Sequence, residues 1–95
     1  METHFEFDAV IQQVPQPMNG AYIIFPYNIR QLFGKGRVKA LATFDGIPYS
    51  GSIVNMGVKD AEGNICYILG MLKAIRQQLG KQPGDSVKVT IDVLL

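Results

Sequence analysis

The residues best equipped for chemistry are cations. Arg30, Lys35, Arg37 and Lys39 lie between positions 30 and 39, around Gly34 and Gly36. A turn rich in glycine lets successive backbone N–H groups converge, so Gly34–Arg37 would offer N–H groups and two cations to an anionic ligand. It lacks the Gly-x-x-x-x-Gly-Lys-Ser/Thr spacing that cradles nucleotide phosphates, so nucleotide hydrolysis is not expected. Lys73 and Arg76 form a second basic pair at helical spacing, with Lys81 beyond them. Joined to the first group, they would make a stripe for nucleic acid. The competing explanation is plain: glycines that end a helix, solvated cations, and basic residues placed near a helix C-terminus, where the dipole favours them by about 0.3–1 kcal/mol. The expected anion-binding residues are Arg30, Lys35, Arg37, Lys73 and Arg76.

Nucleophiles are present without their partners. Tyr49, Ser50 and Ser52 flank Gly51, where a ligand could approach the backbone closely. A nucleophilic serine needs a base and a group that orients it, and the only histidine is His4, near the chain start. Cys66 sits in the apolar run 65–69 and reads as core packing. With one cysteine and one histidine, no internal disulfide, cysteine-based zinc site or histidine-pair metal site can form. Asp8, Asp45, Asp60, Glu62, Asp85 and Asp92 are scattered, and Asp45 and Asp85 read as turn residues. Asp60–Asn64 lacks the calcium-loop pattern. No catalytic residue, metal or cofactor is therefore expected. The enzyme alternative would need Tyr49, Ser52, Lys73 or Arg76 in one cleft.

These groups must be positioned by a chain of 95 residues, the length of a single domain, 1–95. Hydrophobic residues make up 47% and charged residues 18%, which excludes intrinsic disorder. A net charge of +1 gives no global attraction to nucleic acid or to a membrane surface. Residues 1–8 carry Glu2, Glu6 and Asp8 in place of the basic start and apolar run of a secretion signal. The longest apolar runs, 21–26 and 65–69, fall far short of the ~20 residues of a membrane span. The expectation is a cytoplasmic protein with no membrane contact.

Patterning predicts an all-β chain: a small closed or partly open six-stranded β-barrel with two short α-helices. Phe5, Phe7, Ala9 and Ile11 alternate with polar positions and give the first strand, ended by Pro15 and Pro17. After a Met18–Gly20 turn, Ala21–Phe25 is the second. Asn28 would cap a short helix whose Ile29, Leu32 and Phe33 face the core, ended by Gly34 and Gly36. Val38–Phe44 and Ile47–Ile53 form a hairpin about Asp45-Gly46, a pair suited to positive φ. Pro48 suggests an edge strand and Gly51 a bend. Asn55–Gly57 and Asp60–Asn64 read as loops. Ile65–Leu69 reads as a strand buried on both faces, leading into a helix over 70–79. Leu72, Ile75 and Leu79 form its apolar stripe, Lys73, Arg76 and Gln77 its other side, and Gly80 its cap. The last strand places Val87, Val89, Ile91 and Val93 inward. Six strands leave edges exposed unless the sheet closes, which favours a barrel.

The succession Phe5–Ile11, Tyr22–Pro26, Phe33–Val38, Asp45–Ser52, Met56-Gly57, Leu72–Arg76 and Gly84–Ile91 resembles a bacterial and archaeal family, "domain of unknown function 1905". The resemblance covers nearly the whole chain. It implies a small β-barrel with short helices and no established activity. Some relatives carry a further domain resembling bacteriocin-protection proteins; none is expected within residues 1–95. Gly84–Val89 also resembles the closing strand of transition-state-regulator barrels, which bind DNA as dimers. The function expected is a non-enzymatic binding or interaction module, with an anionic ligand or a protein as partner. The alternatives are nucleic-acid or phosphate-ligand binding through the basic turn and helix, or a small enzyme with a cleft. The last strand and the Pro48 edge are the surfaces through which a homodimer would pair.

Overall fold

The structure, a computed structural model, describes residues 3–14 and 20–95. The expected strand end at Pro15 and Pro17 and most of the Met18–Gly20 turn lie outside these residues. The strands are β1 (His4–Val10), β2 (Gln12–Gln13), β3 (Ala21–Phe25), β4 (Arg37–Phe44), β5 (Ile47–Lys59), β6 (Ile65–Met71) and β7 (Ser86–Leu94). Helix α1 (Ile29–Phe33) joins β3 to β4, and α2 (Lys73–Leu79) joins β6 to β7. One antiparallel sheet runs in the order β1-β7-β4-β5-β6-β3-β2. The all-β expectation with two short helices holds.

The strand beyond the expected six is the continuation of the first. β1 pairs with β7, the chain turns at Ile11, and β2 pairs with β3, so one bent path touches both sides of the sheet. Ile11 holds the corner: its N–H donates to Asp85 O at 2.9 Å and its carbonyl accepts from Gly84 N–H at 2.8 Å. The seam between β1 and β3 carries no ladder. Aromatic rings fill it, with Phe5 against Phe25 edge-on at 5.1 Å and Phe7 against Phe25 at 6.0 Å. Val93 N–H donates to Thr3 O, so by antiparallel alternation the odd residues of β1 bond to β7. The even residues turn their backbone groups to the seam. There the outward side chains of His4, Glu6 and Asp8 charge the edge, which discourages pairing with another chain.

The barrel interior is apolar. Ile23, Ile29, Ala40, Phe44, Ile53, Leu69, Val89 and Ile91 are completely buried, and no polar or charged residue is buried among the described residues. Burial of each large side chain contributes roughly 1.5–3 kcal/mol. Among the described residues no helix is long and apolar enough to cross a membrane.

Several local expectations change. β5 runs on through Asn55–Gly57, with a register irregularity between Asn55 and Lys59 where it pairs with β6. It is an interior strand, between β4 and β6. Pro48 fits because β6 pairs only from Ile53 onward, so nothing on that side needs the missing N–H. Gly51 stays within the strand. A Cβ there would lie 2.6 Å from the Tyr49 ring, which crosses the inner face over this position. β6 extends to Met71, so α2 begins only at Lys73. The two-face burial expected for 65–69 holds for Tyr67, Ile68 and Leu69, whereas Ile65 is exposed. Leu32 and Leu72 are also exposed, since such short helices bury one residue each, Ile29 and Ile75. β7 is paired on both sides, by β1 and β4, so it offers no free edge, whereas Ile47–Ser52 around Pro48 pair with β4 alone.

Candidate ligand-binding site

The register decides which cations meet. β3 and β6 pair Phe25 with Tyr67 at one end and Ala21 with Met71 at the other. α1 follows Phe25 and returns to Arg37, which pairs with Val54 near the Tyr67 end. α2 follows Met71 and leads to Ser86, opposite Val10. Arg30, Lys35 and Arg37 therefore lie at one end of the barrel, and Lys73 and Arg76 at the other. One continuous basic stripe does not form.

The first group itself divides. Gly34 adopts φ 69 and caps α1, its N–H donating to Arg30 O at 2.9 Å, so this N–H is not available to a ligand. A Cβ at Gly36 would stand 2.9 Å from Arg30 Nη2; the glycine makes room for the guanidinium. Arg37 and Lys39 alternate with inward Val38 and Ala40, facing outward beside Val54 and Ser52. The turn is thus a helix exit that seats Arg30 rather than a ring of N–H donors.

Arg30 borders a groove of about 490 Å³. One wall is the β3–α1 turn, with Tyr27, Asn28 and Arg30; the other is the β5–β6 hairpin, with Asp60, Asn64, Cys66 and Tyr67. Both walls are fixed by side-chain caps. Asn28 Oδ1 accepts from the N–H groups of Arg30 at 3.0 Å and Gln31 at 3.1 Å, satisfying orphan donors of α1. Asp60 Oδ1 accepts from the N–H groups of Glu62 and Asn64, each at 2.9 Å, while Asp60 N–H donates to Asn64 O. These bonds, that from Asn64 foremost, hold the Asp60 carboxyl below its usual range, so it is an anion at neutral pH. Arg30 has no carboxylate within ion-pair distance among the described residues. The groove therefore offers one unpaired cation, one half-engaged carboxylate and aromatic surface.

Cys66 corrects an expectation. It is half-buried and lines the groove, with Sγ 3.9 Å from Asn64 O, and is not part of the core cluster. Lys81, expected to extend the second basic pair, is engaged by Asp45 at 2.5 Å. Of the groups named in the enzyme alternative, Lys73 and Arg76 on α2 line two shared depressions, whereas Tyr49 points into the barrel and Ser52 faces out. Among the described residues no three histidine, cysteine or acidic side chains are placed to hold a metal ion. In the sequence alone, Asn28 and Asp60–Asn64 read as cap and loop. The signal that unites them is the Phe25–Tyr67 pairing, which brings two turns distant in sequence to the same rim.

The model of the family described as "Domain of unknown function (DUF1905)" matches residues 7–91. No curated protein matches the chain.

Proposed function

The chain belongs to this family of unknown function, and we propose that it is a non-enzymatic binding module whose groove takes a small polar ligand bearing an acidic group. The observation that carries the reading is Arg30. Its guanidinium is seated by Gly36, lacks an ion-pair partner among the described residues, and borders the groove. Arginine presents a planar fork that matches a carboxylate or phosphate. Asp60, with one oxygen already accepting two N–H bonds, has its other oxygen for a donor on the ligand. Tyr27 and Ile65 give apolar surface to the rest of it. A few polar groups set into apolar walls is the usual make-up of a small-molecule site.

Isothermal titration against size-matched compounds tests this: a carboxylate, an amine, an amino acid and a neutral amide. Saturable binding is expected for the acid-bearing compounds, weakened about tenfold or more by Arg30→Ala. Binding indifferent to Arg30→Ala, or turnover of a bound compound that a single substitution abolishes, contradicts the proposal.

A further inference from the structure

The end of the barrel opposite the groove carries a second constellation. Lys73 and Arg76 stand three residues apart on α2, which places them on one helical face. Two adjoining depressions, of about 250 and 410 Å³, share Lys73, Arg76 and Gln82 in their walls. Arg76 is only partly exposed, and its Nε is buried with no hydrogen-bond partner among the described residues. Proteins rarely leave such a donor unsatisfied, and an orphan calls for a specific explanation. The attraction of a cation to a helix C-terminus accounts for the charge of Arg76, yet supplies no acceptor for the Nε proton.

The protein's own acids do not supply one either. Neither Lys73 nor Arg76 has a carboxylate within ion-pair distance among the described residues. Asp45 is taken by Lys81, and Asp85 accepts from Gln82 N–H at 2.9 Å. The segment joining Gln13 to Gly20, two residues of the larger depression, contains no acidic residue.

We propose that Lys73 and Arg76 form a binding site for a single phosphate group, separate from the groove at Arg30. Arg76 turns toward the depression, so that Nε–H, closed to solvent in this structure, and one terminal N–H donate to two phosphate oxygens, a paired geometry that lysine cannot reproduce. Lys73 adds a point charge to a third. Phosphate fits better than carboxylate because its charge of about −1.5 to −2 and three acceptor oxygens match two cations.

The test is an NMR titration of the ¹⁵N-labelled chain with inorganic phosphate at constant ionic strength. It follows the Arg76 Nε–H resonance and the amides of residues 73–82. A saturable shift is expected at these positions. Arg76→Lys keeps the charge and removes Nε, and should weaken binding about tenfold. Arg30→Ala should leave it unchanged, which separates this site from the groove. A drift that never saturates, or an Nε–H resonance already protected and unmoved by phosphate, would overturn the proposal. A second arm adds a short single-stranded oligonucleotide. Competition with phosphate at the same resonances supports a phosphate-group site; oligonucleotide binding that phosphate cannot displace replaces it with a polyanion surface.

Discussion

Asp45 and Lys81, thirty-six positions apart, meet at the foot of the barrel: Lys81 Nζ lies 2.5 Å from Asp45 Oδ2. The other carboxylate oxygen accepts from Lys88 N–H at 2.8 Å, and Lys81 also donates to Ser86 O at 2.6 Å. A two-residue turn with Asp45 at φ 48 and Gly46 at φ 88 is thereby fastened to the segment that leads from α2 into β7. The residue that makes the β4–β5 hairpin turn possible also ties it to the rest of the fold.

Asp45→Asn tests that tie. Asparagine tolerates the left-handed backbone and keeps an acceptor for Lys88 N–H, so what is lost is the charge. A destabilisation of about 0.5–1.5 kcal/mol is expected in urea unfolding. Asp45→Ala should cost roughly 1 kcal/mol more, because alanine lacks the short polar side chain that eases the left-handed backbone and leaves Lys88 N–H without its acceptor.

The same pair sets an acid limit. The Lys81 hydrogen bond first, and the Lys88 N–H second, hold the Asp45 carboxyl below its ordinary value of 3.8. A lowered carboxyl contributes stability that is complete above 3.8 and lost as pH falls through the folded value. Urea midpoints measured from pH 6 downward should fall less steeply for Asp45→Asn than for the parent protein; identical slopes would refute the assignment.

His4 acts in the opposite sense. Its Nδ1 lies 2.7 Å from Asp92 Oδ1 and its Nε2 3.1 Å from Glu6 Oε2. The hydrogen bond with Asp92, then that with Glu6, raises the imidazole above 6.5. Its stabilising effect is complete below 6.5 and disappears as pH rises through the raised value. An NMR titration of the ring should give a midpoint above 6.5, and Asp92→Asn should return it most of the way. A midpoint at or below 6.5 in the parent protein would contradict this.

Gly51→Ala places a methyl against the Tyr49 ring, 2.6 Å from its nearest carbon. The ring packs against Phe44, with centroids 6.0 Å apart, so it has to be displaced. The expected cost is about 1–3 kcal/mol. In the Tyr49→Ala background the same change should cost distinctly less, a coupling that a double-mutant cycle reads directly.

Local chemistry made much of the fold legible in the sequence. The Asp45-Gly46 turn, the Asn28 cap, the Gly34 and Gly80 helix exits and the alternation of Val87–Val93 each follow from contacts within a few residues. Gly51 and Pro48 were harder, because their meaning depends on strand neighbours: one makes room for a ring two residues away, the other lies beyond the reach of β6. The basic residues divide for the same reason. Residues 30–37 and 73–76 look alike in sequence, and only the antiparallel register of β3 with β6 places them at opposite ends. The groove depends on that register too, since Asn28 and Asp60 serve local caps and meet across a rim only once the sheet curls.

The proposed seat for a ligand's acidic group is the rim between Asn28–Arg30 and Asn64–Tyr67. The most direct measurement is backbone amide shift mapping of the labelled protein with a library of small carboxylic and phosphonic acids. Saturable shifts are expected only at residues 24–30 and 60–67, abolished by Arg30→Ala with the circular dichroism spectrum unchanged. Shifts that fall instead on the outward face of β4 and β5, or that persist without Arg30, would contradict it.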